Sequence, residues 1–504
     1  MKIRVRYAPS PTGDPHIGNI RTALFNWLFA RQNAGDFIVR IEDTDVKRAI
    51  PKSVEKIFES LEWLGLNWDE EPCFQSKRLV LYKKYVRELL DNDKAYYCFC
   101  TPEELEKQKE KQKKAKQPPM YNRKCRDLIK KQIEQRIKKK IPYVVRLKVP
   151  LNEEIEFKDL IKGKIKFDSN TIDDQVLLKS DGYPTYHLAS IIDDHLMEIS
   201  HVIRGDDWLP SAPKHVLLYQ AFNWQPPKFA HLPLTLGPNG EKLSKRHGAM
   251  SILEYKDSGY LPEALINFMA LLGWNPDTEQ EIFSKEELIK KFSLGKIQKT
   301  NAVFNIKKLD WLNGFYLRQM NLDELTKRIA PFLEKINLIE IHPVKSDKVG
   351  AEKFNGVKDE KYAIKATGET IGFDELKKIV FLEKERIKRL SQVGEVADFF
   401  FLDKLEYQTG LLAWKGQNKE NIIKNLSLAK DNLSLINKED WNKIKLEEIL
   451  MPLTKMTGVG DLLWPLRVSL TGKEGSPSPF EIAEILGKEK TLKRICQAIE
   501  KLKI

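Results

Sequence analysis

Pro9-Ser-Pro-Thr-Gly-Asp-Pro-His-Ile-Gly-Asn19, preceded by Lys2-Ile-Arg-Val-Arg-Tyr7 and followed by Phe37-Ile-Val-Arg-Ile41, reads as strand, turn, helix and strand. Ile3, Val5 and Tyr7 alternate with Lys2, Arg4 and Arg6, which is the period of a half-buried strand, and the prolines at 9, 11 and 15 stop it. A helix is predicted next, with Asp14 as N-cap and Pro15 at the first helical position. Ile17, Ile20, Leu24, Trp27 and Leu28 recur at helical intervals until Asn33 to Gly35 end the run. Such a βαβ unit places its ligand site beyond the carboxyl ends of the strands, where phosphates can meet a helix N-terminus.

Each residue type in that turn has a use. Gly18 lets a base or ribose approach the backbone with no Cβ in the way. His16 and Asn19 share the first helical turn and can both face phosphates. Far downstream, Lys242-Leu-Ser-Lys-Arg246 supplies a second cationic loop. In this order the two loops can close on one nucleoside triphosphate, with His16 and Asn19 as fixed donors rather than proton shuttles. Losing one such donor at a reacting phosphate costs roughly 3 to 4 kcal/mol of barrier. Taken singly, the motifs also fit plainer readings, a helix cap at His16 and a solvated loop at 242–246.

Composition bounds the partners. Lys and Arg total 85 against 72 acidic residues, a net charge of +13 that favours phosphate backbones and weakens with salt. A hydrophobic content of 41% indicates several globular domains rather than disorder. No uninterrupted apolar span reaches membrane length and no presequence stands before the first strand. The expectation is a soluble, cytoplasmic, monomeric protein with no membrane partner.

Arg6 to Asn19, Arg40-Ile-Glu-Asp-Thr-Asp45, Asp181-Gly-Tyr-Pro-Thr-Tyr-His-Leu-Ala189, Val202-Ile-Arg-Gly-Asp206 and Lys242 to Arg246 together resemble bacterial-type glutamyl-tRNA synthetases. The likeness extends to Pro465-Leu-Arg-Val-Ser-Leu-Thr-Gly472. It implies a class I enzyme that adenylates L-glutamate with ATP and Mg²⁺ and transfers it to the terminal ribose of tRNA, with tRNA generally needed for activation. The HIGH-type motif is then His16 to Asn19, with Asn in place of the final His, and the KMSKS-type loop is Lys242 to Arg246. Lys245 is implied to grip the ATP phosphates and Lys242 to support it. The acceptor is tRNA for glutamate, with tRNA for glutamine left open as a second one.

Free glutamate offers two carboxylates and one ammonium, so its site needs two cations and one anion. Arg6, Arg204 and Glu42 supply that count, and arginine's fork suits a carboxylate. The resemblance assigns Arg6 to the side-chain carboxylate, Arg204 to the α-carboxylate and Glu42 to the amino group, with Tyr186 adding a hydroxyl and Ser10 a further contact. Ser190 stands where the family often carries Asn, which implies a shortened or water-mediated contact. The plainer reading makes Arg6, Arg40 and Glu42 an ordinary cross-strand charge set.

Three of the five cysteines gather at Cys98, Cys100 and Cys125. With Asp127 they form a Cys-x-Cys and Cys-x-Asp set suited to a four-coordinate structural zinc, with Tyr121 as the rival fourth ligand. Family members vary here, and three buried reduced thiols are the alternative.

The resemblance implies an α/β fold: a Rossmann-like parallel-sheet catalytic core in residues 1–75 and 189–242, and an α+β insertion in 76–188 that cradles the tRNA acceptor end. A stem-contact region in 243–325 follows, then an all-α anticodon-binding region in two parts, 326–392 and 393–504. The lysine-rich run across 103–140 lies in the insertion and reads equally well as a solvated helical face. Residues 340 to 372 read as irregular, amphipathic helices follow from about 374, and Ser478-Pro-Phe-Glu481 opens the last pair as a capping box. Arg386 and Arg389 are candidates for reading anticodon bases. Two rival functions remain open: an enzyme adenylating a different small carboxylate with the same loops, and an RNA-binding protein that has lost its chemistry.

Overall fold

The computed structural model describes residues 2–45, 48, 50–243, 250–342 and 360–503. The chain divides into two compact units, one of residues 1–255 and 262–309, the other of 256–261 and 310–504.

The first unit is built on parallel strands. Arg4–Tyr7 pairs with Asp36–Ile41, which pairs in turn with Cys73–Phe74; separately, His201–Gly205 pairs with Lys228–Leu232. The two sets meet at one point, where the Ser200 amide donates to the Arg4 carbonyl at 3.0 Å and the Arg4 amide to the Ser200 hydroxyl at 2.8 Å. Read across that junction, the core strands stand in the order 3-2-1-4-5 of a doubly wound sheet. The crevice between the first and fourth strands is the switch point where such folds bind ligands.

The first strand is more buried than its alternation predicts: Val5, Arg6 and Tyr7 are all buried. Parallel core strands are covered on both faces, so alternation stops reporting which side is wet. Ile38 joins a core of Leu188, Ile191, Ile192 and Val202, while its neighbours Phe37 and Val39, pointing the other way, are fully buried too. The helix Ile17–Gln32 is correspondingly buried nearly all round, and Asn26 ties it to the sheet by donating to the Ile203 carbonyl at 3.1 Å.

The helix begins two residues later than expected. His16, not Asp14, is the N-cap, and its side chain accepts from the Gly18 amide. Asp14 is drawn off by Lys56, whose ammonium reaches both carboxylate oxygens at 2.9 Å.

Between the third and fourth core strands, Ala95–Cys98, Val144–Leu147 and Val176–Leu178 form an antiparallel sheet. A hairpin, Glu154–Asp159 with Gly163–Asp168, is added to the core sheet through parallel pairing of Asp159 with Phe229. The helices Pro102–Lys114 and Lys130–Lys138 carry the lysine-rich run and bury no residue, so both expose charge to solvent.

The second unit is mainly helical, from Leu322–Lys335 through Val459–Thr471 to Pro479–Lys503. The last run is two helices broken at Gly487, whose φ of 76° lies in the left-handed region. Residues 340–372 are not wholly irregular. Ile339–His342, Lys361–Ile364 and Thr370–Gly372 form a small antiparallel sheet, each strand too short for alternation to register. No helix among the described residues is long and apolar enough to cross a membrane.

Candidate active site

A cavity opens at the switch point. Its lining includes Arg6, Ser10, His16, Gly18, Asn19, Glu42, Tyr186, Arg204 and Lys242, so nine side chains or backbones singled out in the sequence converge on one space. Lys245 lies outside the described residues. Ser190 does not line the cavity: it is buried one layer behind, where its hydroxyl accepts from Arg40 Nη2 at 3.3 Å. A serine is too short to reach past that arginine, so the water-mediated contact expected of it gives way to support of Arg40.

The end of the cavity at the helix N-terminus is set by backbone geometry. The Gly18 amide donates to His16 Nδ1 at 3.1 Å, which in the neutral ring places the proton on Nε2 and makes that edge the donor. A Cβ at Gly18 would come within 3.1 Å of the His16 ring, so the glycine keeps the ring in place as well as leaving the backbone open. Lys242 pairs with Asp207 at 2.7 Å, and both line the cavity. Arg21, buried beneath, donates to the Thr235 hydroxyl and the Pro233 carbonyl.

The other end is a buried charge network. Asp194 sits between two arginines, accepting from Arg6 Nε at 2.9 Å and from Arg40 Nη1 at 2.7 Å. Burial alone would raise its carboxyl, yet Arg40 and Arg6 outweigh that and hold it below its ordinary value. Glu42 accepts from Arg40 Nη2 at 3.1 Å, and here burial wins: its carboxyl is pushed up to about 7 despite the pull of Arg40 and Arg6. Asp193, the neighbour of Asp194, accepts from Gln75, Arg78 and Tyr82 and anchors the helix Tyr186–Leu196 from the other side.

Arg204 is held differently. Its Nε donates to His231 Nε2 at 3.1 Å, and its Nη1 reaches Tyr186 Oη and His215 Nδ1, both at 3.1 Å. Burial depresses both histidines below their ordinary range, so these partners are neutral. No carboxylate among the described residues pairs with Arg204, and its Nη2 is buried without a hydrogen-bond partner. A buried guanidinium in that state is costly until an anion arrives, which makes this end of the cavity a carboxylate or phosphate receptor.

The sequence did not single out Asp194, Asp193, Asp159, His231, His215 or His187. His187 and His215 fall in segments whose helical period accounts for them, and Asp159 belongs to an ordinary alternating strand; only coordinates bring them to the arginines.

The cysteine cluster is separate. Cys98, Cys100 and Cys125 bring their sulfurs within 4.8 Å of one another, with Cys100 and Cys125 at 3.7 Å. Tyr121 Oη stands 3.3 Å from Cys98 Sγ and 3.4 Å from Cys100 Sγ. Asp127 is exposed and outside that group. Tetrahedral zinc with bonds of about 2.3 Å to sulfur and about 2.0 Å to oxygen requires S···S edges of about 3.8 Å and S···O edges of about 3.5 Å. The Cys100–Cys125, Cys98–Tyr121 and Cys100–Tyr121 separations lie close to those edges, and with all three sulfurs within 4.8 Å of one another this donor set can hold one four-coordinate metal ion. Cys125 and Tyr121 beside it hold the Cys98 thiol below its ordinary range, which favours a thiolate there.

Comparison with known proteins agrees with this geometry. Residues 2–311 match the model for the catalytic domain of class I tRNA synthetases (E and Q), and residues 324–499 match an anticodon-binding domain. A glutamate–tRNA ligase of Dehalococcoides mccartyi is 46% identical, with 99% of this chain and 98% of that protein covered. Glutamate–tRNA ligase 2 of Thermoanaerobacter pseudethanolicus is 42% identical over the same shares of the two chains. The crystal structure of a glutamate tRNA ligase from Elizabethkingia meningosepticum in complex with its amino acid superimposes with a TM-score of 0.84 at 36% identity, covering 100% of both chains. With the matched catalytic model spanning more than half its length, the chain belongs to the class I tRNA synthetases of the E and Q family.

Proposed function

We propose that this enzyme joins L-glutamate to the 3′ end of tRNA for glutamate, through a glutamyl-adenylate formed from ATP with release of diphosphate. The observation that carries the reading is Arg204, a buried guanidinium with neutral partners and an unused donor beside the cavity. It takes the α-carboxylate. Arg6 takes the side-chain carboxylate, its own orientation fixed by Asp194, and Glu42 receives the ammonium, with Tyr186 and Ser10 as further contacts. His16, Gly18 and Asn19 line the nucleotide end with Lys242, and Lys245 completes the phosphate grip. Mg²⁺ bound with the nucleotide would supply further neutralisation of phosphate charge beside Lys242 and Lys245. Residues 76–188 cradle the acceptor end, 243–325 meet the stem, and 326–392 with 393–504 read the anticodon. In the last region Arg386 is tied by both ends of its fork, to Glu383 and to the Gly475 carbonyl, so reading a base would require it to let one go.

Glu42 gives the reading a pH signature. Its folded-state value lies above the ordinary 4.5, so its contribution to stability is present at low pH and is lost as pH rises through about 7. The substrate ammonium favours the opposite, ionised form. In glutamate-dependent pyrophosphate exchange with tRNA added, the KM for glutamate is expected to fall by roughly tenfold from pH 6 to pH 8, following the ionised fraction of a group near 7. Glu42→Gln removes the trend and leaves a high KM. A KM that is flat with pH in the parent enzyme, or no exchange with glutamate at all, contradicts the assignment.

Zinc is proposed for the cysteine cluster, where it would brace the antiparallel sheet of the insertion rather than touch substrate. Metal analysis is expected to find about one zinc per chain, bound by three thiolates and one oxygen. Cys125→Ser should abolish it, Tyr121→Phe should weaken it by roughly 10 to 100-fold, and Asp127→Asn should leave it unchanged. Loss on replacing Asp127 alone would reverse the choice of fourth ligand.

A further inference from the structure

We propose that Asp159 and His231 are positioning residues for amino-acid binding: they fix the orientation of Arg204, and so set the affinity for glutamate without touching it. This rests on the reading that Arg204 holds a substrate carboxylate.

Asp159 ends the strand Glu154–Asp159 of the inserted hairpin and is 1% exposed; His231 is fully buried in the last core strand. Every lone pair of the aspartate is engaged in a way that leaves one role for His231. Its Oδ1 accepts from the amides of Ile161 and Lys162 at 2.9 and 2.8 Å. Its Oδ2 accepts from the His231 amide at 3.1 Å and from His231 Nδ1 at 2.7 Å. A carboxylate can only accept, so Nδ1 carries the proton and Nε2 of the neutral ring is left as an acceptor. That acceptor faces Arg204 Nε at 3.1 Å. In the other tautomer two N–H groups would oppose each other.

The opposite edge of the guanidinium is held by the same device. His215 Nδ1 accepts from Nη1, and its other nitrogen meets His187 Nδ1 at 3.0 Å. Burial holds His215 well below its ordinary value and His187 down at about 4, so both rings stay neutral. Two imidazoles therefore grip Nε and Nη1 of Arg204, a residue that lines the cavity, and leave Nη2 as the donor without a hydrogen-bond partner. Imidazole is the chemically apt clamp. A carboxylate in its place would neutralise the arginine and compete with the substrate, whereas a neutral acceptor orients the fork and leaves its charge unspent. The hairpin of the insertion thereby reaches into the amino-acid site through a single carboxylate.

Three variants test this in the full-length enzyme, assayed by charging of tRNA with glutamate. Asp159→Asn keeps shape but presents an amide donor to His231 Nδ1, which favours the wrong tautomer. His231→Asn keeps a donor for Asp159 and loses the acceptor for Arg204. His231→Gln places a carboxamide oxygen near the position of Nε2 and restores that acceptor. Asp159→Asn and His231→Asn are expected to raise the KM for glutamate by roughly tenfold or more, with kcat and the KM for ATP within about twofold of the parent, and His231→Gln to recover most of the loss. A purely structural pair would move the thermal midpoint and all three constants together, and would not distinguish Asn from Gln at 231. Equal constants for the two His231 variants overturn the inference, as does an unchanged glutamate KM in Asp159→Asn. Arg204→Gln separates the two levels: if it leaves the glutamate KM unchanged, the underlying reading of Arg204 has failed; if it raises the KM while the other variants do not, only the positioning role has failed.

Discussion

Replacing Arg204 with glutamine is expected to lower kcat/KM for glutamate by roughly 10³-fold, as removal of one partner from a buried, hydrogen-bonded charge pair costs about 2 to 5 kcal/mol. Much of that loss should appear in KM, since the α-carboxylate is anionic in the free substrate and loses its charge only on becoming the mixed anhydride at adenylation. The thermal midpoint should stay within about 5 °C of the parent, because the unliganded guanidinium has no counter-ion to lose. Arg204→Lys should not rescue: an ammonium cannot serve His231, His215 and a carboxylate from one point in the geometry of the planar fork. Steady-state kinetics with glutamate as the varied substrate checks both outcomes. A loss confined to ATP would move Arg204 from the amino-acid end of the cavity to the phosphate end.

His16→Asn is expected to reduce kcat by about 10²- to 10³-fold with little change in the KM for glutamate, the cost of one donor to a transition state. The choice of asparagine matters. His16 accepts from the Gly18 amide through Nδ1, and an asparagine oxygen can take over that cap, so the helix Ile17–Gln32 keeps its first turn. What the variant lacks is the Nε2–H edge. His16→Ala loses cap and donor together and should cost a further ~1 kcal/mol of stability. Single-turnover adenylation measures the chemical step without product release. An unchanged rate in His16→Asn would leave the histidine with a capping role alone.

The βαβ start, the turn before the first helix, Lys242 and the two arginines beside Glu42 were legible because their residues are chemically conspicuous and close in sequence to breakers and caps. Arg6, His16, Gly18, Asn19, Glu42 and Arg204 all reached the cavity. What stayed hidden has physical causes. Asp14 looked like the cap because carboxylates favour that position, but a lysine 42 residues on competes for it. Asp194 and Asp193 sit in a helix whose apolar spacing explains them, and nothing local shows that three arginines from other elements point at them. Asp159 lies 72 residues from its histidine, which is itself 27 residues from the arginine it serves. Pairings of that range are a property of topology. At the cysteine cluster the thiols were legible and both oxygens were named; Tyr121 stands beside the sulfurs, whereas Asp127 is exposed.

Selection of a dicarboxylic amino acid in the crevice between the first and fourth core strands, and its delivery to tRNA, is the proposal on which every other assigned role depends. Charging of purified tRNA for glutamate with radiolabelled glutamate and glutamine, side by side and with ATP, measures that selection directly. The predicted result is an acid-stable, alkali-labile glutamyl-tRNA, with glutamine used at least roughly 10³-fold less efficiently because it would leave Arg6 facing an amide. Glutamine joined as readily as glutamate, or no tRNA product from either, would contradict it.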